Sequence, residues 1–122
     1  MSADNKVVVG LTHGENDPED VLIGFLAAVE AVRAGKDTLI FLTKDAVTLA
    51  FDGGAESIEV PGAPSVPELF TEYVDHGGHI YACPVCVKLR GLTDEPLAGK
   101  AEIKGFPAMY EFAEGGALVF NY

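Results

Sequence analysis

Apolar and polar positions along the chain fall into two alternating kinds of pattern. "KVVVGLT" (6–12) and "DTLIFLT" (37–43) are continuously apolar, which predicts strands covered on both faces. Between them, in "DPEDVLIGFLAAVEAVRAG", Val21, Leu22, Phe25, Leu26, Val29 and Val32 recur at helical spacing and predict one buried stripe. The ends of this helix are written into the same stretch. Asp17 suits the N-cap, Pro18 the first helical position, Asp20 the third, and Gly35 the stop.

Further on, "KDAVTLAF" predicts a short helix and Gly53–Gly54 a turn, while "ESIEV" (56–60) alternates and predicts a third, weaker strand. "SVPELFTEYVDHG" predicts a second full helix with Val66, Leu69, Phe70 and Tyr73 on one side. Then come a strand at "GHIYA", helices at "PVCVKLRGL" and "PAMYEFAEGG", and a last strand at "ALVF". Strands alternating with helices predict an α/β fold, a three-layer α/β/α arrangement with a mainly parallel sheet of about five strands. No repeat or low-complexity block interrupts it. "PGAPSVP" (61–67) is read as a connection inside a single domain, 1–122.

In an open parallel sheet, sites form beyond the carboxyl ends of the strands, where the strand-to-helix loops meet. "THGENDPED", "TKDA" and "ACPVC" are the loops this places on that edge. The last holds both cysteines of the chain.

Composition narrows the chemistry. A content of 48% hydrophobic residues, with seven Phe and four Tyr, is that of a packed protein. Nineteen acidic against eight basic residues give a net charge of −11, which repels a phosphate backbone and an anionic lipid surface, so no nucleic acid is expected as partner. No apolar stretch approaches the ~20 residues of a membrane span, and "MSADNKVVVGL" lacks a basic region followed by a signal-peptide core. A cytoplasmic protein is expected, one in which thiols stay reduced and a close CxxC pair serves catalysis, redox or metal binding rather than stapling.

Cys83 falls where the strand meets the helix, at unpaired N–H groups and the positive end of the helix dipole. Pro84 fits the first helical position, and Lys88 and Arg90 add positive charge. These influences favour the thiolate, the reactive form. Cys86, three residues on, is expected one turn along the same face, less exposed, as a resolving thiol. The plainer alternative makes both small buried hydrophobes.

"HGGHIYACPVC" also contains HxxH before CxxC, a zinc-like order of ligands. If "HIYA" is a strand, however, His79 lies ~13 Å from Cys83, and bonds of ~2.0–2.3 Å cannot bridge that span. His76 and His79 are placed on the opposite edge in structural roles. His13, in "THGEND", shares the edge of the cysteines and is a candidate proton donor or thiolate stabiliser. The carboxylates of "ENDPED" are accounted for by helix capping rather than a magnesium site. With no Walker pattern, no GxGxxG opening a helix and no nucleophile-elbow serine, neither cofactor nor metal is expected.

Over essentially its whole length the chain resembles the DsrE/DsrF-like family of small sulfur-relay proteins. The resemblance lies in "GLTHGENDPEDVLIGFLAAVEAVRAGKDTLIFLTKDAV" after the first strand, in "IYACPVCVKLRGL", and in "PLAGKAEIKGFPAMYEFAEGGALVF". It implies a subunit of flavodoxin-like architecture, assembly into trimers or hexamers, and a cysteine carrying sulfur as a persulfide between a donor and an acceptor protein. Cys83 matches that cysteine. Cys86 leaves a CxxC dithiol/disulfide oxidoreductase open, though the thioredoxin-like order of elements is missing, and an oligomeric binding module with inert cysteines is the third alternative. "GGALVFNY" and "VPELFTEYV" carry apolar and aromatic residues available for self-association.

Overall fold

The structure, a computed structural model, describes residues 5–122. Residues 1–4, the start of the segment read above for targeting signals, lie outside the described residues. The valine run forms β1 (Lys6–Leu11), and the second apolar run forms β2 (Asp37–Leu42), parallel to it from Lys6 beside Asp37 to Leu11 beside Leu42. β3 (His79–Ala82), β4 (Glu102–Ile103) and β5 (Leu118–Asn121) complete a five-stranded sheet in the order β4-β3-β2-β1-β5. Every pairing in it is parallel. The expected α/β fold, with helices on both sides of the sheet, is the one observed.

α1 (Pro18–Arg33) starts and stops where its signals lie. The Asp17 side chain accepts a hydrogen bond from the Asp20 N–H, Pro18 opens the helix, and Gly35 follows its end in the left-handed region at φ 79°. Ser65 caps α2 (Val66–Asp75) in the same way, accepting from the Glu68 N–H. The two helices pack together over one face of the sheet, where Phe25 meets Phe70 and Tyr73 with ring centroids 5.9 and 6.5 Å apart. Arg33 links them at the surface with a two-pronged bond to Glu72, at 2.6 and 2.8 Å, and this holds the Glu72 carboxyl below its usual range. α3 (Pro84–Leu89) lies against a 3-10 segment, Lys44–Ala50. α4 (Phe106–Phe112) covers part of the second face by resting Phe106 on Phe41, with ring centroids 5.2 Å apart.

Three expectations are corrected. The strand at residues 56–60 does not form: Ala55–Ser57 is a 3-10 turn, Ile58 is buried, and Val60 is only half-buried. The edge beside β3 is occupied instead by β4, with Glu102 opposite Tyr81 and Ile103 opposite Ala82. The helix expected over residues 44–51 is wound as 3-10. Finally, Phe70 and Tyr73 do not offer a self-association surface, because both are buried in the chain's own core.

Tyr73 does more than fill space. Its hydroxyl bonds the carbonyls of Thr38 (3.0 Å) and His79 (2.7 Å), so one buried side chain ties together the starts of β2 and β3. Burial pushes the phenol far above its ordinary range, so it remains a protonated donor. Gly78 is needed beside it, since a Cβ there would collide with the Tyr73 ring. Tyr73→Phe removes the donor and leaves the ring, and is expected to cost about 1–3 kcal/mol in a urea titration.

Among the described residues, no helix is long and apolar enough to cross a membrane.

Candidate functional site

The carboxyl ends of β1, β2 and β3 bring the three expected loops to one edge of the sheet. The Cys83 N–H donates to the Leu42 carbonyl at 2.9 Å, extending the β2–β3 ladder by one residue before the chain turns. Pro84 then opens α3, leaving Cys83 as its N-cap residue. Cys83 is buried, at 7% exposure, whereas Cys86 is half-buried. The order of exposure is the reverse of that expected: Cys83 is tucked between the strand end and the core, while α3 lies on the surface and buries only Val87. Both thiols are free.

The positive influences expected around Cys83 are redistributed. No N–H of the first turn of α3 hydrogen-bonds the Cys83 sulfur. Arg90 is turned toward Asp45, donating from Nε (3.0 Å) and Nη2 (2.8 Å) to Asp45 Oδ1, and from Nη1 (3.2 Å) to the Cys86 carbonyl. Asp45 follows Lys44, which leaves β2 in the left-handed region at φ 52°, a conformation that residues with a Cβ adopt rarely. This pairing across the loop is the feature that sequence reasoning missed, because nothing local marks two residues 45 positions apart as partners.

His13 follows β1 on the same edge. Its Nδ1 lies 2.8 Å from Asp20 Oδ2 and 3.2 Å from the Thr12 hydroxyl, so the first turn of α1 fixes the ring. β2 stands between β1 and β3, which separates His13 from Cys83 by roughly two strand spacings, ~10 Å. His13, Asp17 and Asp20 place one ligand atom each within 4.8 Å of one another, the one such trio among the described residues. Asp17 and Asp20 are at the same time the capping pair of α1.

The remaining histidines lie at the other end of the strands. His79 begins β3, lies 3.4 Å from Asp37 and packs edge-on against Phe112, while His76 caps the end of α2 with its Nδ1 2.9 Å from the Glu72 carbonyl. On the second face of the sheet an apolar groove of about 320 Å³ runs between α4 and β1, lined by Val8, Phe41, Phe106, Met109 and Val119, and reaches the site edge at Thr12 and Thr43.

Three solved structures share this architecture. The YchN protein of E. coli superposes with a TM-score of 0.78 at 19% identity, covering 98% of this chain and 99% of its own. A protein of unknown function from Methanobacterium thermoautotrophicum, MTH1491, gives 0.65 at 13%, over 95% of this chain and 99% of its own. The protein BT1422 from Bacteroides thetaiotaomicron, also of unknown function, gives 0.61 at 20%, over 100% and 98%. At these identities the likeness is one of fold. By sequence, an uncharacterized protein of Methanocaldococcus jannaschii, MJ0760, is 27% identical over 101 residues, which is 83% of this chain and 37% of that longer protein. The profile of the DsrE/DsrF-like family matches residues 5–122, the whole stretch from β1 through β5 with the site edge between them, and the chain therefore belongs to the DsrE/DsrF-like family.

Proposed function

We propose that this protein is a cytoplasmic sulfur carrier in which Cys83 is the nucleophile. The Cys83 thiolate attacks the outer sulfur of a donor persulfide, forming Cys83–S–SH and releasing the donor thiolate. An acceptor thiolate then takes the outer sulfur by the same displacement, and Cys83 leaves as a thiolate. No net oxidation occurs. The placement of Cys83 supports this reading: a reduced thiol at a strand-to-helix junction, on the site edge of a parallel sheet, whose sulfur makes no capping bond. Its burial suits an intermediate that must be shielded from stray thiols, while half-buried Cys86 stands one turn away. His13, held by Asp20 at some distance along the edge, would act on an arriving donor or acceptor rather than on the Cys83 sulfur.

The carrier is proposed to work as a homo-oligomer, a trimer or hexamer. Support comes from one flank of the subunit. β5 is an edge strand whose Leu118, Val119 and Phe120 are all exposed, and α4 beside it presents Phe106 and Tyr110. Large apolar side chains exposed together on an edge strand and the helix beside it suit an interface rather than a wetted face. Val119→Asp places a charge in its middle and is expected to shift the molar mass in light scattering to that of a 12.9 kDa subunit; an unchanged mass would remove this flank from the interface.

The carrier reading is tested by intact mass spectrometry of reduced protein after brief exposure to polysulfide. A gain of one sulfur supports the carrier. Loss of two hydrogens without sulfur supports the dithiol oxidoreductase, and an unchanged mass leaves a binding module with inert cysteines.

A further inference from the structure

α3 has six residues, far fewer than the ~12–15 at which an isolated helix becomes even marginally stable. It buries a single side chain, Val87, and leaves Val85 and Leu89 exposed. Val87 and, in part, Cys86 seat this turn on the core. Arg90 adds a polar hold to this shallow seat. The guanidinium sits at the C-terminal cap of α3 and reaches back to the Cys86 carbonyl, while its other two donors grip Asp45 on the neighbouring 3-10 segment. The Arg90 side chain is 29% exposed and that of Asp45 50%, so the grip owes its hold to the forked geometry rather than to burial.

We infer that Arg90, anchored by Asp45, is a positioning residue that keeps the Cys86 thiol within reach of Cys83. The inference rests on the proposed sulfur chemistry only for its use, not for its geometry. Residues three apart on an α-helix have Cα atoms ~5 Å apart, inside the ~4.4–6.8 Å range that a disulfide spans. A turn that keeps this shape gives Cys86 a high effective concentration at Cys83, and a turn that frays does not.

The consequence concerns the fate of a loaded Cys83. The Cys86 thiolate attacks the inner sulfur of Cys83–S–SH, the S–S bond to the outer sulfur breaks, and hydrosulfide leaves with the electron pair. Cys86 and Cys83 are joined as a disulfide, the outer sulfur is reduced, and an external dithiol returns the pair to the reduced state. Transfer to an acceptor competes with this ring closure. The Arg90–Asp45 grip thus sets the share of carried sulfur that is released instead of delivered.

Reduced protein, equilibrated with mixtures of reduced and oxidised glutathione, gives the equilibrium constant of the Cys83–Cys86 disulfide by mass spectrometry after acid quenching and alkylation. Arg90→Ala and Asp45→Ala are each expected to lower that constant roughly ten-fold. The double variant should be no worse than either single, because both remove one device. Arg90→Lys should recover part of the loss, since an ammonium attracts Asp45 but cannot fork between it and the Cys86 carbonyl. Asp45→Asn, which keeps the size of the side chain, serves in place of any alanine variant that does not fold. Constants within about two-fold of wild type, additive losses in the double variant, or no disulfide in wild type at any glutathione ratio would each overturn the inference. The measurement involves no sulfur loading, so it stands apart from the carrier test: a protein that takes up no polysulfide sulfur refutes the carrier and leaves the Arg90 result readable. If the protein does load, Arg90→Ala should slow hydrosulfide release and leave delivery to an added thiol unchanged in a Cys86→Ser background; altered delivery there would also overturn it.

Discussion

Cys83→Ser is expected to abolish the gain of sulfur from polysulfide, with a fall in loading rate of at least about a hundredfold, because a hydroxyl is scarcely ionised where a thiol is partly so. Cys86→Ser is expected to load as wild type does, and to keep the sulfur longer. The contrast between the two variants matters more than either alone. Equal loss in both would mean that loading needs both thiols, and loading that persists in Cys83→Ser would move the nucleophile to Cys86, the more exposed thiol. The substitution has a side effect to be separated from the chemistry. Cys83 is buried, and a serine hydroxyl with no partner there costs about 1–3 kcal/mol. Cys83→Ala, which buries no new polar group, should show the same loss of loading with a different melting point. Agreement between the two in loading would tie the effect to the sulfur.

The largest loss of stability is expected from Phe25→Ala. Phe25 lies on the buried stripe of α1, is 1% exposed, and packs against both Phe70 and Tyr73 of α2. Truncation opens a cavity between two helices whose relative position is fixed from both ends, by the Arg33–Glu72 link at the surface and by the bonds of Tyr73 to the strand carbonyls below. Such a site collapses poorly, so the expected cost is about 3–5 kcal/mol by urea titration. Against a total of about 5–15 kcal/mol for a domain, that is a substantial fraction. A loss below about 1.5 kcal/mol would indicate that α1 and α2 slide to fill the gap.

How far the sequence could be read depended on whether the deciding interaction was local. α1 was fully legible, since its apolar stripe, Asp17–Pro18 start and Gly35 stop all lie within one stretch. β1 and β2 were legible as unbroken apolar runs because both of their faces are covered. Residues 56–60 misled because alternation records a side chain's direction, not the presence of a partner strand. Ile58 points inward from a turn, and the place beside β3 goes to Glu102–Ile103, two residues too few to show any period. At the site, the position of Cys83 followed from the order of elements. Its neighbours did not. Arg90 was read as charge available to the thiol, and only the folded arrangement turns it to Asp45. The burial of Cys83 relative to Cys86 likewise reflects how shallowly α3 is seated, which depends on the 3-10 segment beneath it.

The strand order has a meaning for how the chain reaches this state. β1 pairs on one side with β2, some thirty positions on, but on the other with β5, where Val7 meets Leu118 and the Thr12 hydroxyl bonds the Tyr122 carbonyl 110 residues away. During vectorial synthesis on a ribosome, β1 through β4 can assemble while one side of β1 is still bare, a row of unpaired amides on a valine-rich strand. Such an edge invites pairing with a second nascent chain. Arrival of β5 ends that exposure, so its late pairing sets how long each new molecule is vulnerable to aggregation.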